Sequence, residues 1–190
     1  MLEVIKDSVL VNQILNSIKL IEFESLFLSG GTLRNIVWNS LHSYEENYNL
    51  EDCDIIFYNP LNLNKEYEKF IEHILFNHDP KIKWSVKNQA RMHLRNNHQS
   101  YNGIESALMA FPETCSAVAI GKRFEIVAPY GFIDLFNFRV NPTKFCINNE
   151  PNVFVNRVQQ KNWKEKWPNL ILNQNILNTA PYVRLSNLSA

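Results

Sequence analysis

The stretch Ser29-Gly30-Gly31-Thr32-Leu33-Arg34-Asn35, followed by Asp52-Cys53-Asp54-Ile55-Ile56-Phe57, limits what this chain can fold into. An apolar run, Phe23 to Leu28, leads into the first piece, and Leu33, Ile36, Val37 and Leu41 come after it at helical spacing. It therefore reads as a strand end, a double-glycine turn and a helix opening, with Thr32 or Ser29 available near the N-cap. The second piece reads as a strand, Cys53 to Tyr58, stopped by Asn59-Pro60. Residues two apart in a strand share a face and lie roughly 7 Å apart. Asp52 and Asp54 thus project as a pair, while Cys53 and Ile55 face the other way.

Two carboxylates so placed suit one or two hard cations such as Mg²⁺, which takes carboxylate and phosphate oxygens together. Two such ions about 4 Å apart activate an attacking oxygen and stabilise a leaving pyrophosphate. The glycine turn supplies the other half. It lets the backbone approach a triphosphate, and the helix behind it offers free N–H groups to anionic oxygens. A calcium-loop reading of the aspartates fails, because Ile55-Ile56-Phe57 stands where polar ligands and a glycine are needed. A Walker A reading fails for want of G-K-[ST] after the glycines.

The remaining chain is consistent with an α/β (α+β) fold, a mixed β-sheet flanked by helices. Apolar spacing predicts an N-terminal helix over 2–19, helices over 65–76, 89–95 and 103–110, and a strand over 82–86. Thr114 to Ile120 and Arg123 to Ala128 flank Gly121-Lys122 as a hairpin. A C-terminal helix is expected over 155–167, closed by Pro168, with a frayed tail after Pro181. With 190 residues and no internal repeat or linker, the expectation is a single domain over 1–190.

Nineteen basic residues balance nineteen acidic ones, so no global positive field points to nucleic acid. Three widely spaced cysteines form neither a disulfide framework nor a zinc pattern, and the five histidines include no H-E-x-x-H. The N-terminus lacks the build of a signal peptide and no apolar run reaches membrane-spanning length, so a cytoplasmic protein without a membrane partner is expected.

The order strand, Gly-Gly, helix, D-x-D strand, then a later strand carboxylate resembles the DNA polymerase β-like nucleotidyltransferase superfamily. Five segments together resemble its small bacterial nucleotidyltransferase-like family: Gly30 to His42, Asp52 to Tyr58, Trp84 to His93, Phe111 to Ile120 and Ala128 to Phe136. The resemblance runs from about Phe27 to Trp167. It implies a polymerase β-like nucleotidyltransferase core and Mg-dependent transfer of a nucleotidyl group from an NTP to an unidentified acceptor, whether small molecule, protein or RNA. The alternatives are an inactive nucleotide-binding or regulatory relative, and the transferase half of a complex in which a helical partner protein supplies the acceptor site.

Carried onto this chain, the resemblance implies that Asp52 and Asp54 bind metal and that Gly30 and Gly31 seat the triphosphate. Glu125, on the second strand of the expected hairpin, is the choice for third catalytic and metal-binding carboxylate; Asp134 is the runner-up, and Glu113 is read as structural. Thr32 and Arg34 in the first turn, with Lys87, Asn88 and Arg91 in the polar run after the third strand, complete the expected nucleotide-binding set. Each cation there equally suits a solvated surface. Trp38 and Trp84 are expected in the core.

Overall fold

Three residues, Phe27–Ser29 (β1), occupy the middle of the sheet. In this computed structural model, which describes residues 2–47 and 50–179, helices α1 (Leu2–Lys6) and α2 (Val9–Lys19) precede β1. After it come α3 (Gly30–Leu41), β2 (Cys53–Phe57), α4 (Lys65–His78), β3 (Trp84–Asn88), α5 (Gln89–Asn96) and α6 (Ile104–Met109). A 3₁₀ turn at Thr114–Ser116 leads to β4 (Ala119–Gly121), β5 (Ile126–Val127), α7 (Ile133–Phe136), β6 (Arg139–Val140) and α8 (Lys144–Asn149). The chain continues through α9 (Pro151–Lys161), α10 (Trp163–Lys166), β7 (Ile171–Leu172) and α11 (Gln174–Thr179). Among the described residues, five strands form a mixed sheet in the order β3-β2-β1-β4-β5, and β6 pairs with β7 separately. The pair β2–β3 is parallel; β1 is antiparallel to both β2 and β4.

Alternation along β2 sends Cys53, Ile55 and Phe57 into the main core with Ile14, Ile18, Leu33, Val37, Ile71 and Leu75 from the helices. Ile56 faces the other side, with Phe27, Ala119, Leu108 and Phe111. Cys53, Cys115 and Cys146 are buried free thiols, and Trp38 and Trp84 are core residues. Trp38 is boxed by Trp167, at 5.3 Å between ring centroids, and Trp163, at 6.2 Å. Trp167 also donates to Asn39 Oδ1 at 2.8 Å, which locks the C-terminal helices onto α3.

Two expected helices are divided. The N-terminal one breaks at Asp7–Ser8, because the Ser8 hydroxyl accepts the Val11 N–H at 3.1 Å and the Glu46 carboxylate accepts from Val9 and Leu10. Those caps satisfy the free donors of a second helix start. The C-terminal one begins at Pro151 and breaks at Asn162, which is left-handed at φ 48°. The frayed tail expected after Pro181 lies outside the described residues.

Strand β3 lies at the sheet edge, where unpaired N–H groups invite aggregation. Helix α4 covers it with two carboxylates: Glu72 accepts from Val86 N–H and Glu68 from Asn88 N–H, each at 2.9 Å. Glu68 is 1% exposed and also holds Arg91 through both carboxylate oxygens, at 3.0 and 2.8 Å. Glu68→Ala leaves a buried N–H and a guanidinium without their partner. It is expected to destabilise the fold by about 2–4 kcal/mol, read from urea unfolding.

Candidate functional site

The antiparallel register of β1 with β2, Phe27 opposite Ile56 and Leu28 opposite Ile55, brings the end of β1 beside Asp54. Gly30 then turns with φ +63°, which a side chain resists, and α3 opens there rather than at Thr32. A Cβ on Gly30 would stand 3.4 Å from Asp54 Oδ2, and one on Gly31 at 3.5 Å. The bare backbone of the turn therefore lies against the carboxylate. Thr32 closes the arrangement: its hydroxyl donates to the Asp52 carbonyl at 2.9 Å and accepts the Asp54 N–H at 2.8 Å. Thr32, expected among the nucleotide ligands, commits its one proton to holding the D-x-D backbone against the helix start.

Among the described residues the Asp54 carboxylate makes no direct hydrogen bond or ion pair. Burial, and then the Asp52 charge, push it above the ordinary carboxylate range, against the pull of Arg34, Lys87 and Arg157. Asp52 is half exposed and pairs with the exposed Lys83 at 2.6 Å. Such a pair is readily exchanged for another partner. Arg34 is 4% exposed, donates to Ser116 Oγ at 2.8 Å and to Asn35 Oδ1, and lies over the rings of Trp38 and Trp163. It lines the smaller cavity beside Gly31 and brings fixed positive potential to that wall. Burial pulls its guanidinium below the ordinary value.

Two cavities meet at Asp54, and Gly31 and Arg157 line both. One, of about 460 Å³, runs along the sheet face past Ile56 and Lys87 to Met92, Asn96 and Tyr101, with Glu150, Val153 and Arg157 along its wall. The other, of about 220 Å³, is bordered by Asn35, Asp52, Arg157, Lys161 and Lys166. Glu113, wholly buried, accepts from Arg157 Nε at 2.6 Å and aims the guanidinium. Burial pulls Arg157 down, but the Glu113 charge and hydrogen bond outweigh it and leave the group above its ordinary value.

Several expected site residues are not brought to the aspartates. Glu125 precedes β5 and folds back to accept the Arg123 N–H at 2.7 Å, beside Gly121. Gly121 is opposite Phe27, two residues along from the Ser29 end where Asp54 lies, so the hairpin carries Glu125 away from the pair. Asp134 accepts from Thr114 Oγ1 at 2.6 Å and Asn141 at 3.1 Å, a structural use. The parallel register sets Ser85, not Lys87, opposite Asp54; Lys87 lines the larger cavity but is paired with Glu72 at 3.3 Å. Asn88 caps α5 through Ala90 N–H and clasps the Asn59 and Asn62 carbonyls, and Arg91 is held by Glu68. Arg157 and its partner Glu113 were not foreseen as site residues. The signal available for the first was Glu150, Val153 and Arg157 at helical i, i+3, i+7 spacing.

No group of three or more His, Cys, Asp or Glu side chains suited to a metal occurs among the described residues. Asp52 and Asp54 alone nevertheless fit Mg²⁺, which is held by one or two carboxylates with water and substrate phosphates completing its shell. Burial first and then the Asp52 charge raise Asp54, and a cation there would offset both by stabilising the ionised carboxylate. No helix among the described residues is long and apolar enough to cross a membrane.

A glycine turn and a paired-aspartate strand joined at one end of a mixed five-strand sheet define the nucleotidyltransferase head fold. Residues 16–172 match a family model described as Nucleotidyltransferase, and the chain belongs to that family. A solution structure described as revealing a CCA-adding enzyme head domain is 34% identical, with a TM-score of 0.78 over 90% of this chain and 93% of that one. The Thermotoga maritima CCA-adding enzyme complexed with tRNA superposes at a TM-score of 0.53 with 10% identity, over 88% of this chain and 40% of that one. A CCA-adding enzyme with CTP gives 0.55 at 10% identity, over 88% and 41%. At those identities the likeness is one of fold, and the chain spans about two fifths of those two proteins' length. No protein of curated function matches the sequence.

Thr32→Val keeps the shape but strands the Asp54 N–H, and is expected to cost about 1–3 kcal/mol in urea unfolding. Asp54→Asn has the opposite sign. The folded-state pKa of Asp54 is raised, so the folded chain binds more protons than the unfolded one between the two values. Wild-type stability therefore falls as pH rises from the ordinary aspartate value through the folded one. Asp54→Asn is expected to be the more stable protein at pH 7 without metal, with the advantage vanishing below about pH 3.9, in unfolding curves taken across pH.

Proposed function

We propose that this chain transfers a nucleotidyl group from an NTP to an acceptor at the Asp52–Asp54 end of the sheet. The observation that carries this is the Asp54 carboxylate, without a direct partner among the described residues and flanked by the bare Gly30–Gly31 turn at the junction of two cavities. Asp52 and Asp54 would hold Mg²⁺, which when bound offsets phosphate charge and makes an acceptor hydroxyl easier to deprotonate.

The chain's own residues do the rest. The turn admits the α-phosphate close to the backbone, and the positive end of α3 beyond Gly30, whose own N–H goes to the Val118 carbonyl at 3.3 Å, favours its oxygens. Arg157, aimed by Glu113, presents a guanidinium where charge builds on the phosphates. Lys161 and Lys166 border the smaller cavity and now hold Glu51 at 3.2 and 3.9 Å; these exposed pairs yield readily to a polyphosphate tail. The larger cavity suits the nucleoside in volume and in its largely apolar walls. RNA is the acceptor class we favour, because tRNA is the partner in the Thermotoga maritima complex of the same fold. The acceptor site would then lie on a further domain or on a helical partner chain.

A second reading has its own support. Glu113, the carboxylate that borders the cavity beside Asp54, is fully engaged by Arg157, so a third metal ligand is lacking among the described residues. A nucleotide-binding regulator needs no third ligand.

Calorimetric titration of each NTP with and without Mg²⁺, on wild type and Asp54→Asn, tests the common part. Mg²⁺-dependent binding is expected for wild type, weakened at least about 100-fold in the better-folded variant. Binding with equal strength in both would remove the aspartates from the site. Pyrophosphate release on adding RNA acceptors separates transferase from regulator.

A further inference from the structure

The larger cavity has two chemically distinct ends. At one are Gly31, Asp54 and Arg157; at the other are Asn96, Tyr101 and Glu150. Helix α9 joins them, because Glu150 at its N-cap, Val153 and Arg157 succeed one another along a single face. Seven residues at helical rise separate Arg157 from Glu150 by about 10 Å, close to the reach of a nucleoside from its 5′-phosphate to the outer edge of its base.

The far end is a built polar site. The His98 side chain is 8% exposed; its Nδ1 meets the Tyr101 hydroxyl at 2.6 Å and its Nε2 faces a Glu150 carboxylate oxygen at 3.3 Å. Neither contact is needed by a helix or a strand, and Nε2 is a buried polar atom with no hydrogen-bond partner among the described residues. With the Tyr101 hydroxyl donating to Nδ1, the neutral ring has its one proton on Nε2, which lies near the Glu150 carboxylate without completing a hydrogen bond. Phe145 stacks edge-on to the same imidazole, at 4.7 Å between centroids, so the ring is fixed from both sides. Glu150 is thereby a positioned carboxylate at the end of a cavity whose flanks, Ile56, Met92, Ala107 and Phe111, are apolar and suited to the faces of a ring.

Resting on the nucleotidyl-transfer reading above, we infer that Glu150 reads the nucleobase and selects guanine. A carboxylate only accepts hydrogen bonds. Guanine presents two adjacent donors on its outer edge, the ring N1–H and the exocyclic amine, and can engage both carboxylate oxygens. Adenine and cytosine set a single amine beside a ring nitrogen acceptor, which a carboxylate repels. Uracil flanks its one N–H with two carbonyls. His98 and Tyr101 act through Glu150 as positioning residues.

The test is titration of the full chain, in Mg²⁺, with GTP, ITP, ATP, CTP and UTP, for wild type and Glu150→Gln. GTP is expected to bind about 10- to 100-fold more tightly than ATP, CTP or UTP. ITP, which lacks the exocyclic amine, is expected to fall between. The preference should disappear in Glu150→Gln while the other affinities stay within about threefold. Equal affinity for all five, or a GTP preference that survives Glu150→Gln, overturns the assignment of Glu150 and leaves the nucleotidyl-transfer site standing. Failure of wild type to bind any NTP removes both. The wild-type series with ITP decides the matter even if Glu150→Gln does not fold.

Discussion

The site depends on the pairing register between β1 and β2. A slip of one residue would turn Asp52 and Asp54 into the main core and Ile55 out of it. The observed register is enforced from both sides of β2, by Cys53, Ile55 and Phe57 in the main core and by Ile56 against Phe27 on the other face. It is then pinned at one end by Thr32, whose hydroxyl is bonded to the peptide groups on either side of Cys53. Hydrophobic patterning thus selects the register, and one buried hydroxyl transmits it to the helix start. The Gly30 turn is useful only because this clamp holds it against the carboxylate.

Around that junction the protein spends buried charge freely. Arg34 is desolvated beneath the turn, Glu113 is wholly buried, and Asp54 is crowded by Asp52. Each would be costly alone. They are tolerated because they are distributed: Arg34 is spread over two indole faces and two polar partners, and Glu113 is satisfied by Arg157. Of these three charges Asp54 alone has no direct partner among the described residues, and that residual instability is what a bound cation would remove.

The turn, the helix behind it and the D-x-D strand were legible in the sequence because each is a local pattern: apolar period, glycine pair, alternation. A mixed sheet flanked by helices was expected from the same patterns and from the family resemblance. The polar residues were read less well, since a polar side chain's use is decided by what lies across the fold. Arg91 looks the same in sequence whether it meets a phosphate or Glu68, and Asn88 whether it meets a base or the carbonyls of Asn59 and Asn62. Glu125 was placed by its strand flank, but the tight return at Gly121 bends its carboxylate back onto Arg123 N–H. Glu113 and Arg157 lie 44 residues apart, and no spacing rule joins them.

Helix α9 shows what such distant pieces add. Its outward residues fit an ordinary C-terminal helix, yet its inward stripe spans the larger cavity from Arg157, at the Asp54 end, to Glu150. Each end meets a buried side chain from outside the helix: Glu113 hydrogen-bonds the guanidinium, and His98 Nε2 lies 3.3 Å from the carboxylate. The indole box of Trp38, Trp163 and Trp167 then ties the chain after α9 back to α3. One helix therefore holds opposite charges at a set separation, and α3, whose first residue makes the glycine turn, anchors the segment beyond α9. A ligand reaching from one charge to the other would be selected for length as well as charge, because the tryptophan packing of α3 against the segment after α9 resists a shift of either.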